Sequence, residues 1–189
     1  LAELLRVEVM NGTPPEPLMV AAFGGYGRRE MNPFSDVDIT FLTRSSQPRN
    51  DTEEFIRRFV MMLWDIGLKV GHSVRSISQA VQQANQDMVT KTSMLECRYL
   101  LGPRDLFHEF QKRFQNDCVK GHEKEYLAWR QAKIAEQYDK FGASIYMQEP
   151  NIKSGCGGLR DYQNLLWVAR FQKGIPSLSK LVEKKFLRE

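Results

Sequence analysis

Two continuous apolar runs, 18–23 and 37–43, are too short for core helices and too unbroken for strands with a wet face. Both read as buried strands. Before them, Pro14, Pro15 and Pro17 beside Gly12 mark a loop, and residues 1–10 read as the end of a helix. After them, a polar turn over 44–50 leads to Asp51, Glu53 and Glu54, acids suited to a helix N-terminus. Phe55, Phe59 and Leu63 then form a helical stripe, with Ile56, Val60 and Trp64 beside it, and Gly67 ends the helix. Residues 68–75 alternate loosely and read as a third strand.

From residue 77 the spacing turns helical. The pattern predicts one long or broken helix over 77–101, stopped by Gly102-Pro103, and a second over 104–119. A third, over 123–145, puts Leu127, Ile134, Tyr138, Phe141 and Ile145 on one face. Residues 146–158 read as a loop, 159–172 as an amphipathic helix, and 177–188 as the start of a last one. The pattern predicts an α+β fold: a core of three or more strands with flanking helices over 1–100, then a helical domain over 101–189.

Composition adds little constraint. Of 189 residues, 42% are hydrophobic and 26% charged, ordinary for a globular chain. The net charge of +4 suits an anionic ligand such as a nucleotide without demanding nucleic acid, and no basic-aromatic interleaving suggests a nucleic-acid track. Three scattered cysteines without a CxxC read as free thiols in a reducing, cytoplasmic setting. No apolar run approaches the roughly 20 residues of a membrane span, and no signal peptide is visible. Trp64, Trp129 and Trp167 fall on helical stripes and read as core. The chain starts at Leu1 and ends on Arg188-Glu189, and reads as a piece of a longer protein.

The chemistry concentrates between the first two strands. Gly24-Gly25 follows the first, and Asp36-Val37-Asp38 enters the second. Aspartates two apart on a strand leave the same face. Such a pair repels itself unless a cation lies between, and oxygen-only ligands suit Mg²⁺, which also takes substrate phosphates. A turn-capping reading accounts for Asp36 alone; Asp38 lies inside an apolar run, where an unpartnered charge is costly. The glycines let backbone N–H groups approach a phosphate. Arg28 or Arg29 is expected to neutralise phosphate charge, and Ser35 is placed with them. Further on, Lys153, Gly157, Gly158 and Arg160 form a glycine-rich loop feeding a helix, a second phosphate-like arrangement. Asp87, Glu96 and Arg98 are weaker candidates, since charged helix positions are usually solvated or paired.

Gly24-Gly25 with Asp36-Val-Asp38 resembles the signature of the polymerase-β-like nucleotidyltransferase superfamily. The fuller string Gly-Gly-Tyr-Gly-Arg-Arg-Glu…Pro-Phe-Ser-Asp-Val-Asp closely resembles the PII uridylyltransferase/uridylyl-removing enzymes of bacterial nitrogen regulation. The stretch 63–75, with Gly71-His72-Ser-Val-Arg75, and the stretch 149–161, with Lys153-Ser-Gly-Cys-Gly157-Gly158-Leu-Arg160-Asp161, resemble two further blocks of that family. The resemblance runs from about Leu18 to Phe171. It implies a catalytic pair, Asp36 and Asp38, holding Mg²⁺, and transfer of UMP from UTP to a tyrosine of the trimeric PII signal protein.

One departure is plain. Many superfamily members carry a third acid on the next strand, whereas Lys69-Val-Gly-His-Ser-Val-Arg75 has none. Imidazole is a poor Mg²⁺ ligand, so His72 does not replace it; it stands as a candidate base or as a structural histidine. None of His72, His108 and His122 is followed by Asp, so the family's His-Asp hydrolase and its uridylyl-removing activity are not expected here. Two alternatives remain: a related protein adenylyltransferase or sensor-linked nucleotidyltransferase, and a non-catalytic nucleotide-binding module.

Overall fold

A computed structural model describes residues 16–32, 34–142, 149 and 151–186. The expected helix end over 1–10, most of the first loop and part of the 146–158 loop lie outside these residues. The chain divides into two compact units, the first reaching Cys118 and the second starting at Val119.

The first unit is built on a four-stranded mixed sheet, so the α+β class stands. Its strands are β1 (Leu18–Ala22), β2 (Val37–Thr43), β3 (Val70–Ser76) and β4 (Arg98–Leu101), in the order β3-β2-β1-β4. β1 runs antiparallel to β2 and to β4, and β2 runs parallel to β3. A helical turn, α1 (Gly24–Arg28), follows β1, and α2 (Asn50–Asp65) makes the crossover from β2 to β3. A Schellman arrangement closes α2: Gly67 takes φ 84°, its N–H donates to Trp64 O, and Leu68 N–H donates to Leu63 O.

One face of the sheet packs on α2. Val20, Val37, Ile39 and Phe41 meet Ile56, Phe59, Val60 and Leu63, the period-2 face of two strands against the helical stripe. Phe41 and Phe59 meet edge-to-face at 6.1 Å. Phe59→Ala should therefore cost about 3–5 kcal/mol, seen as a lower urea midpoint. Trp64 was expected inside but is 50% exposed, because it stands one position beyond the end of that buried stripe.

The expected helix over 77–101 is three elements: α3 (Ile77–Gln86), α4 (Met88–Leu95) and β4. Ser76 and Gln79 form a capping box on α3. Asp87 caps α4, accepting from Val89 N–H, Thr90 N–H and the Thr90 hydroxyl. Those bonds, the hydroxyl's first, hold its carboxyl below the usual range. β4 turns away because its edge pairs with β1 across a bulge. α5 (Arg104–Phe114) completes the unit and runs into a π-helical turn, Gln115–Val119.

The second unit contains α6 (Glu123–Phe141), α7 (Leu159–Lys173) and α8 (Leu178–Glu183). Tyr126 and Arg130 are the buried residues of α6, and the Tyr126 ring stacks on Phe171 of α7 at 3.9 Å. All three cysteines are free. No helix among the described residues is long and apolar enough to cross a membrane.

Candidate functional site

Asp38 is the only exposed position of β2; the six others are buried. Its carboxylate lies between two glycines. On one side is Gly24, where α1 begins with φ 53°; a methyl group there would lie 3.1 Å from Asp38 Oδ2. On the other is Gly71, its register partner on β3, where a methyl group would lie 2.7 Å from Oδ1. Any side chain at Gly71 would press into the carboxylate, so the space around both oxygens depends on these two residues.

Asp36 stands one residue before β2. The walls of the cleft withdraw water from Asp38, and Asp36 repels it; together they hold its carboxyl above the usual carboxylate range. The two charges are thus close enough to feel each other, and among the described residues neither has a basic ion-pair partner. Among the described residues no group of three or more His, Cys, Asp or Glu side chains could hold a metal ion. Two carboxylates with open space at their oxygens fit Mg²⁺, which fills its remaining positions with water and phosphate oxygens.

The arginines after the glycines separate in role. Arg28 donates to Glu96 at 2.5 Å and to Glu30 at 2.9 Å, with Glu96 only 4% exposed. Burial works against the Arg28 charge, but the two carboxylates outweigh it and hold its pKa above the usual value. Arg98 donates to the carbonyls of Tyr26 and Gly27 and lies 4.9 Å over the Tyr26 ring. Gly27 abuts Glu96 so closely that a methyl group would fall 2.3 Å from its carbonyl oxygen. Glu96 and Arg98 therefore bolt the glycine turn to the sheet. Arg29, exposed at φ 66°, has no side-chain partner among the described residues. Ser35 closes the turn before Asp36, its N–H donating to Asn32 O.

His72 sits one position out of phase with Gly71 and Ser73. Its ring meets Trp64 of α2 at 6.1 Å, on the face opposite Asp38. His72 also borders the cleft that opens from Asp38. From Asp38 a cleft of about 350 Å³ runs along β2 and β3 past Thr40, Ser73 and Arg75, walled by Val89, Thr90, Ser93 and Met94 of α4. Thr40 and Ser73 share a 2.8 Å hydroxyl hydrogen bond on its floor. Sequence reasoning passed over Gly71, Ser73 and Arg75 as site residues; the signal was their period-2 phase with Asp38 across the parallel register.

The second glycine-rich loop belongs to the second unit and satisfies its own backbone. Asn151 Oδ1 accepts from Lys153 N–H and Ser154 N–H. Asp161 accepts from Gly157 N–H at 2.7 Å, from the Tyr138 hydroxyl at 2.9 Å and from Gln137 Nε2. The bond to Asp161 pushes the Tyr138 phenol up to about 12. A methyl group at Gly158 would fall 2.8 Å from the carbonyl oxygen of Gly155 and 2.9 Å from that of Ile152, and Arg160 lies 5.2 Å over the Trp167 ring. Lys153 is exposed, and its ammonium has no partner among the described residues.

Residues 126–189 match the family model described as GlnD PII-uridylyltransferase. A bifunctional uridylyltransferase/uridylyl-removing enzyme of Azospirillum brasilense is 42% identical over 178 residues, 94% of this chain and 19% of that protein. Enzymes of the same name from Novosphingobium aromaticivorans and Rhodospirillum rubrum are also 42% identical, over 92% of this chain. The chain thus spans about a fifth of the length of the curated relatives it matches. A toxin–antitoxin crystal structure with AMP-PNP aligns with 71% of the chain at 15% identity and a TM-score of 0.42, a loose likeness. At some 40% identity across nearly its whole length, the chain belongs to the bacterial PII-uridylyltransferase/uridylyl-removing enzyme family.

Proposed function

We propose that this segment is a nucleotidyltransferase domain that moves UMP from UTP to a tyrosine of a PII-type signal protein and releases pyrophosphate. The observation that carries the reading is the Asp36–Asp38 pair, uncompensated in charge and flanked at both Asp38 oxygens by glycines. The shared name of the relatives supports uridylyl transfer.

Asp36 and Asp38 are the residues that would hold Mg²⁺. Bound there, the ion would supply positive charge against the phosphate oxygens. Gly24 and Gly25 offer first-turn backbone N–H groups to the phosphates. Arg29 is the arginine available to them, while Arg28 holds the turn in place. In the second unit, taken by itself, Lys153 is a candidate anion contact on the loop whose shape Gly157 and Gly158 set, and Arg160 stands at the start of the following helix. In the transfer the acceptor oxygen bonds to the α-phosphorus and the bond from it to the bridging oxygen breaks. Pyrophosphate leaves with that electron pair, and the hydroxyl proton passes to solvent.

Calorimetry tests the binding half. UTP should bind at one site with Mg²⁺ present, and Asp36→Asn should weaken it about tenfold. Equal affinity in EDTA, or in Asp36→Asn, contradicts the assignment of the pair.

A further inference from the structure

The two sides of Asp38 differ in what they can bind. Oδ2 faces Gly24, the first residue of α1. Oδ1 faces Gly71 on β3, and the cleft opens from there. In phosphoryl and nucleotidyl transfer the attacking and leaving oxygens lie roughly in line across the phosphorus. With the leaving pyrophosphate on the glycine turn, the attacking oxygen must approach from the β3 side.

The cleft on that side is formed for something other than phosphate. Its floor is the Thr40–Ser73 hydroxyl pair, and its wall is α4, where Val89 is 62% exposed. Its volume of about 350 Å³ lies in the range of clefts that take a compact ligand. At the far end stands Arg75, half-buried, with no side-chain partner among the described residues. Arg75 also borders the cavity on the α2 side of β3, so its guanidinium is reachable along the sheet edge. β3 is the edge strand, and the flank away from β2 pairs with no other described strand. An extended chain can lie along it.

We infer that the cleft from Asp38 to Arg75 binds the acceptor, an extended peptide segment with its hydroxyl side chain at Asp38 and an acidic side chain at Arg75. Register sets the spacing. Asp38 pairs with Gly71, and Arg75 lies four positions further along β3, about 13 Å at strand rise. The acidic residue then stands about three or four positions from the hydroxyl-bearing one in the acceptor. Arg75 is a specificity residue in this arrangement, acting on acceptor capture rather than on the phosphorus. The inference rests on the proposed function and adds the place and charge preference of the acceptor.

The test uses recombinant PII as acceptor and UTP with Mg²⁺ as donor, comparing wild type with Arg75→Ala, Arg75→Glu and Val89→Glu. The KM for PII should rise about tenfold in Arg75→Ala and further in Arg75→Glu. Val89→Glu, an exposed change that leaves the core intact, should also raise it by placing a negative charge on the wall. UTP affinity by calorimetry should stay within about twofold throughout. Replacing each acidic residue within four positions of the acceptor tyrosine by arginine should, at one of them, restore much of the loss in Arg75→Glu. An unmoved KM for PII in both glutamate variants overturns the inference, and so does UTP affinity falling in step with it. Loss of transfer in Asp38→Asn alongside unmoved KM values in the Arg75 variants removes this inference alone. Retained transfer in Asp38→Asn removes the proposed function as well.

Discussion

Asp38→Asn should abolish transfer and stabilise the metal-free fold. Transfer should fall by at least about 10²–10³-fold, the scale seen when one group that stabilises transition-state charge is removed. The stability effect follows from the sign of the shift. The folded-state pKa of Asp38 is raised, so folding disfavours its charged form. The penalty is present at pH values above that raised pKa and disappears as pH falls through it. At pH 7 asparagine removes both the desolvated charge and its repulsion with Asp36. Solvent screening keeps the gain to some tenths of a kcal/mol, a rise in Tm of about 1–2 °C. Mg²⁺ should reverse the order, raising the Tm of wild type by mass action and leaving that of Asp38→Asn nearly unmoved. Thermal melts with and without Mg²⁺ at pH 7 check both signs.

Glu96→Ala should lower stability and transfer together. It strands Arg28, whose side chain is 15% exposed, and loosens the turn that carries Gly24 and Gly25. Breaking one side of a buried ion pair costs about 3–5 kcal/mol; the contact with Glu30 remains and places this case near the lower end. Urea denaturation should show the loss as a lower midpoint with unchanged slope. Replacing both partners together, Arg28→Leu with Glu96→Leu, should recover much of the stability, because no buried charge is then left alone. Transfer should stay low in that double variant, since the turn is no longer anchored by Arg28. Wild-type stability of Glu96→Ala would contradict the anchoring role.

The pattern of the chain carried the first two strands, α2 and its glycine stop, because each is decided by local periodicity and turn chemistry. β4 was not legible. Arg98-Tyr-Leu-Leu is short and half-buried, and it continues a stretch whose spacing is helical; its strand state comes from pairing with β1. Trp64 continued the stripe of α2 on paper but falls past its buried part. The aspartate pair and Gly24 were visible as a motif, whereas Gly71 entered the site through a register between strands some thirty residues apart. The separation of Arg28 from Arg29 was also hidden, since it depends on Glu96, 68 residues away.

The most direct measurement is label transfer from UTP carrying ³²P at the α-phosphate to PII in the presence of Mg²⁺. The account predicts labelled PII with an equal amount of pyrophosphate released, and loss of both in Asp38→Asn. Labelling of PII by Asp38→Asn at the wild-type rate would contradict it.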